Sequence, residues 1–219
     1  MLITETKTSQ EIIDSLKGYT KVFLVGCGEC AATCKTGGEQ ELKSMREMLE
    51  KSGLTVTGSC IPQAPCVASQ IKTEFAKNMQ ALRQAEAVLV LACGLGVQSV
   101  KDNDRLKLRI IPALNTICGA VMDAQGNFYE KCSLCGECVL ADTAGICPLT
   151  LCPKGLLNGP CGGMNKGKCE VDKEKDCAWV LIYNELDKHN RKDAIKRIKG
   201  PKDFKKSGKP HRIVVNSNA

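Results

Sequence analysis

The sequence predicts an α/β protein whose first half is built on a parallel sheet, and three observations carry that reading. Short apolar runs recur at KVFLV (21–25), LTVT (54–57), AVLVLA (87–92) and LRII (108–111). Charged segments with apolar residues at steps of three and four fall between several of them. The first three runs open into loops bearing glycine or proline, GCGECAATCKTGG, SCIPQAPC and CGLGVQSV, and PALNTIC follows the fourth. Strands alternating with helices in this way give a parallel sheet of the flavodoxin or Rossmann kind. At 219 residues and 43% hydrophobic, the chain is long and apolar enough for one or two domains with a real core.

Taken in order, SQEIIDSLK (9–17) reads as a short helix with Ile12, Ile13 and Leu16 on one face. The run at 21–25 is a buried strand. Residues 39–51 carry Leu42, Met45 and Leu49 at helical spacing, and the helix 67–84 carries Val67, Ile71, Phe75, Met79 and Leu82. AVMDAQGNFYE, near 120–130, reads as a small hairpin or turn joining the two halves. Trp179, Ile182, Tyr183 and Leu186 form one stripe of a helix over 174–190, expected to cover the cysteine loops before it. Three regions follow: an α/β domain (1–120), a loop-rich, cysteine-rich iron–sulfur domain ending in that helix (121–190), and a basic tail (191–219).

Cysteine dominates the chemistry, with fifteen in the chain. Eight fall in the second half, at Cys132, Cys135, Cys138, Cys147, Cys152, Cys161, Cys169 and Cys177, enough for two sites of four thiolates. The overlapping Cys132-x-x-Cys135-x-x-Cys138 lets one tight loop present three thiolates to an iron–sulfur cubane, and Cys147-Pro148 and Cys152-Pro153 have the form in which ferredoxin-type runs end. Structural zinc more often takes separate pairs. Two [4Fe–4S] clusters in 132–177 are therefore expected.

In the first half, Cys27 follows the first predicted strand, Cys60 and Cys66 the second, Cys93 the third, and Cys118 comes shortly after the last. A parallel sheet gathers such points at its carboxyl edge, where open α/β folds bind ligands. A third thiolate site is expected from four of Cys27, Cys30, Cys34, Cys66 and Cys93, with iron–sulfur and zinc both open; packing thiols or one redox pair are the alternative. Gly26-Cys27-Gly28-Glu29-Cys30-Ala31 also fits a dinucleotide fingerprint. The second strand, however, ends in Thr57-Gly58-Ser59 without the acidic residue that would hold a ribose hydroxyl, and three cysteines in one loop suit metal better.

Several function classes are excluded or disfavoured. The two histidines, His189 and His211, lie in or beside the tail, so no Ser/His/Asp set and no histidine general base arises in the body. There is no phosphate loop of the G-x-x-x-x-G-K-[ST] type. The longest apolar run, 87–97, is too short to span a membrane. The N-terminal residues show no basic stretch followed by an apolar block, so a cytoplasmic setting with reduced thiols is expected. Of the net charge of +7, a local +9 sits between Lys188 and Arg212, eleven Lys/Arg against two Asp. That is expected to be a solvated, flexible end; with Phe204 its only aromatic residue, a nucleic-acid partner is not expected.

Four segments together resemble one family. They are GCGECAATC (26–34) followed by GGE (37–39), ACGLGVQ (92–98), CSLCGECVL (132–140) and CPKGLLNGPCGG (152–163). They resemble the methylenetetrahydrofolate reductase C-terminal family, over about residues 20–190, with the tail outside. As a free-standing chain it resembles the family's small iron–sulfur subunits of acetogens. It implies a flavin-bearing barrel subunit as partner, which reduces 5,10-methylenetetrahydrofolate to the 5-methyl form. This chain would relay electrons to or from that flavin, with a ferredoxin or similar protein as donor. The eight cysteines of 132–177 would be cluster ligands. Two other readings stand beside it: a zinc-stapled scaffold or nucleic-acid-binding module, and a thiol sensor using Cys27, Cys30 and Cys34.

Overall fold

The computed structural model describes residues 1–208, so Pro210, His211 and Arg212 of the expected tail lie outside the described residues. The chain divides into two compact units, Met1–Cys118 and Gly119–Ala219.

The first unit runs β1 (Leu2–Thr6), α1 (Ser9–Ser15), β2 (Lys21–Val25), α2 (Cys30–Thr33), α3 (Glu39–Lys51), β3 (Thr55–Cys60), α4 (Ala68–Lys77), α5 (Met79–Gln84), β4 (Ala87–Val90), α6 (Gly94–Asn103), β5 (Arg109–Pro112) and the start of β6 (Leu114–Met122). Four strands form a sheet in the order β3-β2-β4-β5, every pair parallel. That is the doubly wound order in which the first strand of the sheet lies between the second and the third. The chain reverses direction across the sheet between β2 and β4, and the carboxyl ends of those two strands flank the crevice.

Val22, Phe23, Leu24 and Val25 are all fully buried, as are Ala87 to Val90. Successive side chains of a strand point to opposite faces, so both faces of the sheet are covered, as a parallel sheet requires. Leu42, Met45 and Leu49 of α3 and Ile71 and Phe75 of α4 are buried in the same core, and the Phe23 and Phe75 rings meet edge to face at 6.5 Å. Helix α1 starts with a reciprocal cap: the Glu11 amide donates to Thr8 Oγ1 at 3.2 Å, and the Thr8 amide to Glu11 Oε2 at 2.9 Å.

Three elements differ from expectation. The helix expected over 67–84 is two helices, parted at Asn78, whose side-chain Nδ2 donates to Glu74 O at 2.9 Å. An asparagine side chain competes with the amide ladder in this way, and the helix breaks there. Strand β1 and helix α6 were not anticipated. Cys60 is the last residue of β3 and Cys118 lies within β6, so neither follows a strand in a loop as expected.

In the second unit the expected hairpin is present. The end of β6 pairs antiparallel with β7 (Phe128–Cys132). Asp123 shapes the turn by accepting from the Gln125 and Asn127 amides at 2.9 and 2.8 Å. Helices α7 (Pro148–Leu151) and α8 (Ala178–Lys188) and a 3₁₀ turn (Lys192–Lys196) follow. Cys177, Trp179, Ile182 and Leu186 form this unit's small core, with Ala194 and Ile195 of the 3₁₀ turn packed against it. Tyr183 departs from the predicted stripe: it is 46% exposed, and Lys192 Nζ stands 5.8 Å over its ring. Ala194 and Ile195 of the expected tail are thus packed, while Lys192, Asp193 and Lys196 around them stay exposed. No helix among the described residues is long and apolar enough to cross a membrane.

Candidate metal centres

Three loops meet at the carboxyl end of the parallel sheet. The first follows β2 and carries Cys27 and Cys30. The second follows β3 and carries Cys66. The third is the entry to α6, where Cys93 takes the N-cap position. The Gly28 amide donates to Pro62 O at 3.0 Å and joins the first loop to the second. Gly28 and Gly96 allow the close approach: a Cβ on Gly28 would stand 3.0 Å from Gln63 Oε1, and one on Gly96 would stand 3.1 Å from Pro65 Cγ.

The electrostatics report which thiols are neighbours. Burial pushes the Cys27 thiol up; backbone hydrogen bonding by Ala31 and Glu29 pulls it back, and the charges of Cys30 and Cys93 raise it again. Cys66 is likewise raised by burial, then by Cys93, Cys27 and Cys30. The group consists of Cys27, Cys30, Cys66 and Cys93. Cys34 stands apart, its thiol donating to Leu2 O at 3.8 Å. Cys60 is pushed up to about 12 by burial and by the charge of Glu74, which makes it a protonated packing thiol.

In the second unit, Cys152, Cys161, Cys169 and Cys177 line a single cavity of about 10 Å³, with Met164 and the Trp179 ring in its wall. Trp179 Nε1 donates to Leu156 O at 3.1 Å, which fixes the ring against the loop it covers. The remaining four cysteines follow a different pattern. The Leu134 amide approaches Cys132 Sγ at 3.4 Å, and Leu134 and Gly136 both take positive φ, so the Cys-x-x-Cys-x-x-Cys loop turns tightly on itself. Cys138 is exposed, and Cys147 caps α7.

The basic segment closes onto this loop. Lys202 Nζ donates to Cys135 Sγ at 2.8 Å and also to Glu137 O. The Asp203 amide donates to Glu137 Oε2 at 3.0 Å, and Lys206 pairs with the same carboxylate at 3.4 Å. Lys199 pairs with Asp142, and Asn158 and Lys199 exchange two hydrogen bonds of 2.8 and 2.9 Å. Lys202 holds the Cys135 thiol below its ordinary value, partly against burial. Sequence reasoning missed Lys202, because no spacing rule links residues 67 apart. The excess of Lys between 188 and 212 was the only signal.

The donor sets are soft and all-thiolate, which suits iron–sulfur clusters or zinc and no harder cation. Among the described residues, no three Cys, His, Asp or Glu side chains converge tightly enough to hold a single metal ion.

A family model described as methylene-tetrahydrofolate reductase C terminal matches residues 111–205. Over these residues the chain is similar to the methylene-tetrahydrofolate reductase C-terminal family. No curated protein matches the chain. The matched segment contains all eight cysteines of 132–177, and it also contains Lys199, Lys202 and Asp203. The expectation that the tail lies outside the resemblance is thereby corrected as far as residue 205. At the other end, the motifs quoted from 26–39 and 92–98 fall before the matched segment.

Proposed function

We propose that the chain is the small iron–sulfur subunit of a methylenetetrahydrofolate reductase assembly. In this role it passes electrons one at a time to or from a flavin on a barrel-shaped partner, in the cytoplasm, with a ferredoxin or similar protein as donor. The partner would use two electrons and two protons to reduce 5,10-methylenetetrahydrofolate to the 5-methyl form. The observation that carries the reading is that the segment similar to the methylene-tetrahydrofolate reductase C-terminal family gathers Cys152, Cys161, Cys169 and Cys177 around one cavity. Together with Cys132, Cys135, Cys138 and Cys147 they would hold two [4Fe–4S] clusters, which when bound supply reversible one-electron chemistry.

The chain's own residues do the rest. Trp179 lies against the second set of thiols, of which Cys177 is buried and Cys161 exposed, and Lys202 places a positive charge on the first. His189 is exposed at the end of α8 beside Glu185. In this reading the proton chemistry belongs to the partner.

Anaerobic purification tests the reading directly. The expected product is brown, with iron and acid-labile sulfide in equal amounts, and it co-purifies with a co-expressed flavin barrel subunit. Cys135→Ser should lose about four iron per chain. A colourless protein containing zinc, or undiminished iron in Cys135→Ser, would overturn it.

A further inference from the structure

We propose that Cys27, Cys30, Cys66 and Cys93 form a third metal site, at the carboxyl end of the parallel sheet, and that the site is built for an iron–sulfur cluster rather than a single zinc ion. The inference deepens the preceding section and rests on its reading of the chain as an electron carrier, but it concerns residues outside the matched family segment.

Topology provides the first argument. The crevice of a doubly wound sheet lies outside the carboxyl ends of the two strands between which the order reverses. Here those strands are β2 and β4, ending at Val25 and Val90, and Cys27 and Cys93 lie just beyond them. Both are nearly buried, 5% and 8% exposed. Cys66 is exposed. The group therefore runs from the sheet edge to the surface, with an inner pair and an outer member, as a site filled from solvent needs.

The second argument is the construction of the loops. The Cys27 amide donates to Gly37 O at 2.9 Å, the Gly28 amide to Pro62 O at 3.0 Å, and the Ala32 amide to Cys27 O at 3.1 Å. Pro65, next to Cys66, seats against Gly96, one turn into α6 from Cys93; any larger residue at 96 would push it out, since a Cβ there already meets Ala92 Cβ at 2.9 Å. Gly28 does the same for Gln63. Two glycines thus hold the loop of Cys66 between the loops of Cys27 and Cys93. Backbone hydrogen bonding to the Cys27 sulfur by Ala31 and Glu29 is the kind that steadies cluster ligands.

The third argument is the donor set. These four thiols lie within reach of one another's charge, and four thiolates are the ligand set of a cubane cluster; on the electron-carrier reading that cluster, rather than a zinc ion, fills the site. Cys34 and Cys60, the other two thiols of these loops and strands, point elsewhere and serve as internal controls.

The test uses the whole chain, purified without oxygen, with iron, sulfide and zinc counted and folding followed by circular dichroism. Cys66→Ser changes an exposed residue and leaves the core intact; it should lose about four iron relative to the parent chain. Cys93→Ser should lose the same four, while Cys34→Ser and Cys60→Ser lose none. Full iron in a folded Cys66→Ser, or loss of one zinc instead of iron, overturns the third site. If Cys135→Ser loses iron while Cys66→Ser does not, the electron-carrier reading stands and this inference falls. If the parent chain holds no acid-labile sulfide, both fall.

Discussion

Replacing Lys202 with glutamine removes one positive charge from a sulfur 2.8 Å away and leaves the segment around it anchored. The Asp203 amide and Lys206 still bind Glu137, and Lys199 still pairs with Asp142. Gly136 keeps Lys206 close: its φ is +73°, and a Cβ there would stand 2.9 Å from Lys206 Cβ. The change is thus chiefly electrostatic. A unit charge at 2.8 Å in a medium as polar as water is worth about 1.5 kcal/mol, the screened value suited to two partly exposed groups. For a one-electron couple that is about tenfold in the equilibrium constant, or about 60 mV. A nearby cation stabilises the reduced, more negative state, so Lys202→Gln should lower the potential of the cluster proposed at Cys135 by about that amount. An EPR-monitored redox titration of the anaerobic protein measures it, with iron content as the control. In metal-free protein the same substitution should slow alkylation of Cys135 near neutral pH, because the thiol is no longer held low by the ammonium group. An unchanged potential at full iron content would refute the role assigned to Lys202.

Two further outcomes follow from packing and from charge. Trp179 is 6% exposed in a core of only four buried residues, so Trp179→Ala should destabilise the second unit by about 3–5 kcal/mol; hydrogen exchange would show faster opening at Ile182 and Leu186, with protection of β2 and β4 unchanged. Glu86 accepts from the Thr20 and Lys21 amides at 2.6 and 3.2 Å, and those bonds hold its carboxyl below the usual range. Its contribution is present above the unfolded carboxyl value and is lost as pH falls through the depressed folded one. Glu86→Gln should therefore lower stability at neutral pH and flatten the acid limb below about pH 4.3, read by urea unfolding across pH.

What was legible in the sequence was whatever has a period. Residues 22–25 are apolar at every position because both faces of their strand are covered, and Leu42, Met45 and Leu49 repeat because one face of α3 is. From those elements the positions of Cys27 and Cys93 at one edge followed by topology alone. The pairing of Lys202 with Cys135 has no period, and charge pattern alone does not say which cysteine a lysine will reach. Tyr183 was misplaced for a related reason: helical spacing marks the stripe, but whether its edge is covered depends on residues 192–196, which arrive from farther along the chain.

Helix α6 was missed for a reason that bears on the site itself. GLGVQSV opens with two glycines, and each glycine in a helix costs about 1 kcal/mol relative to alanine. Local preference therefore argues against a helix there. Gly96 nevertheless leaves the gap into which Pro65 fits, and Pro65 carries Cys66 toward Cys93. A residue better suited to the helix would separate the loops. The place where local propensity and the observed fold disagree is thus the place where three loops are brought together to present four thiols, as expected where a site rather than stability decides the residue.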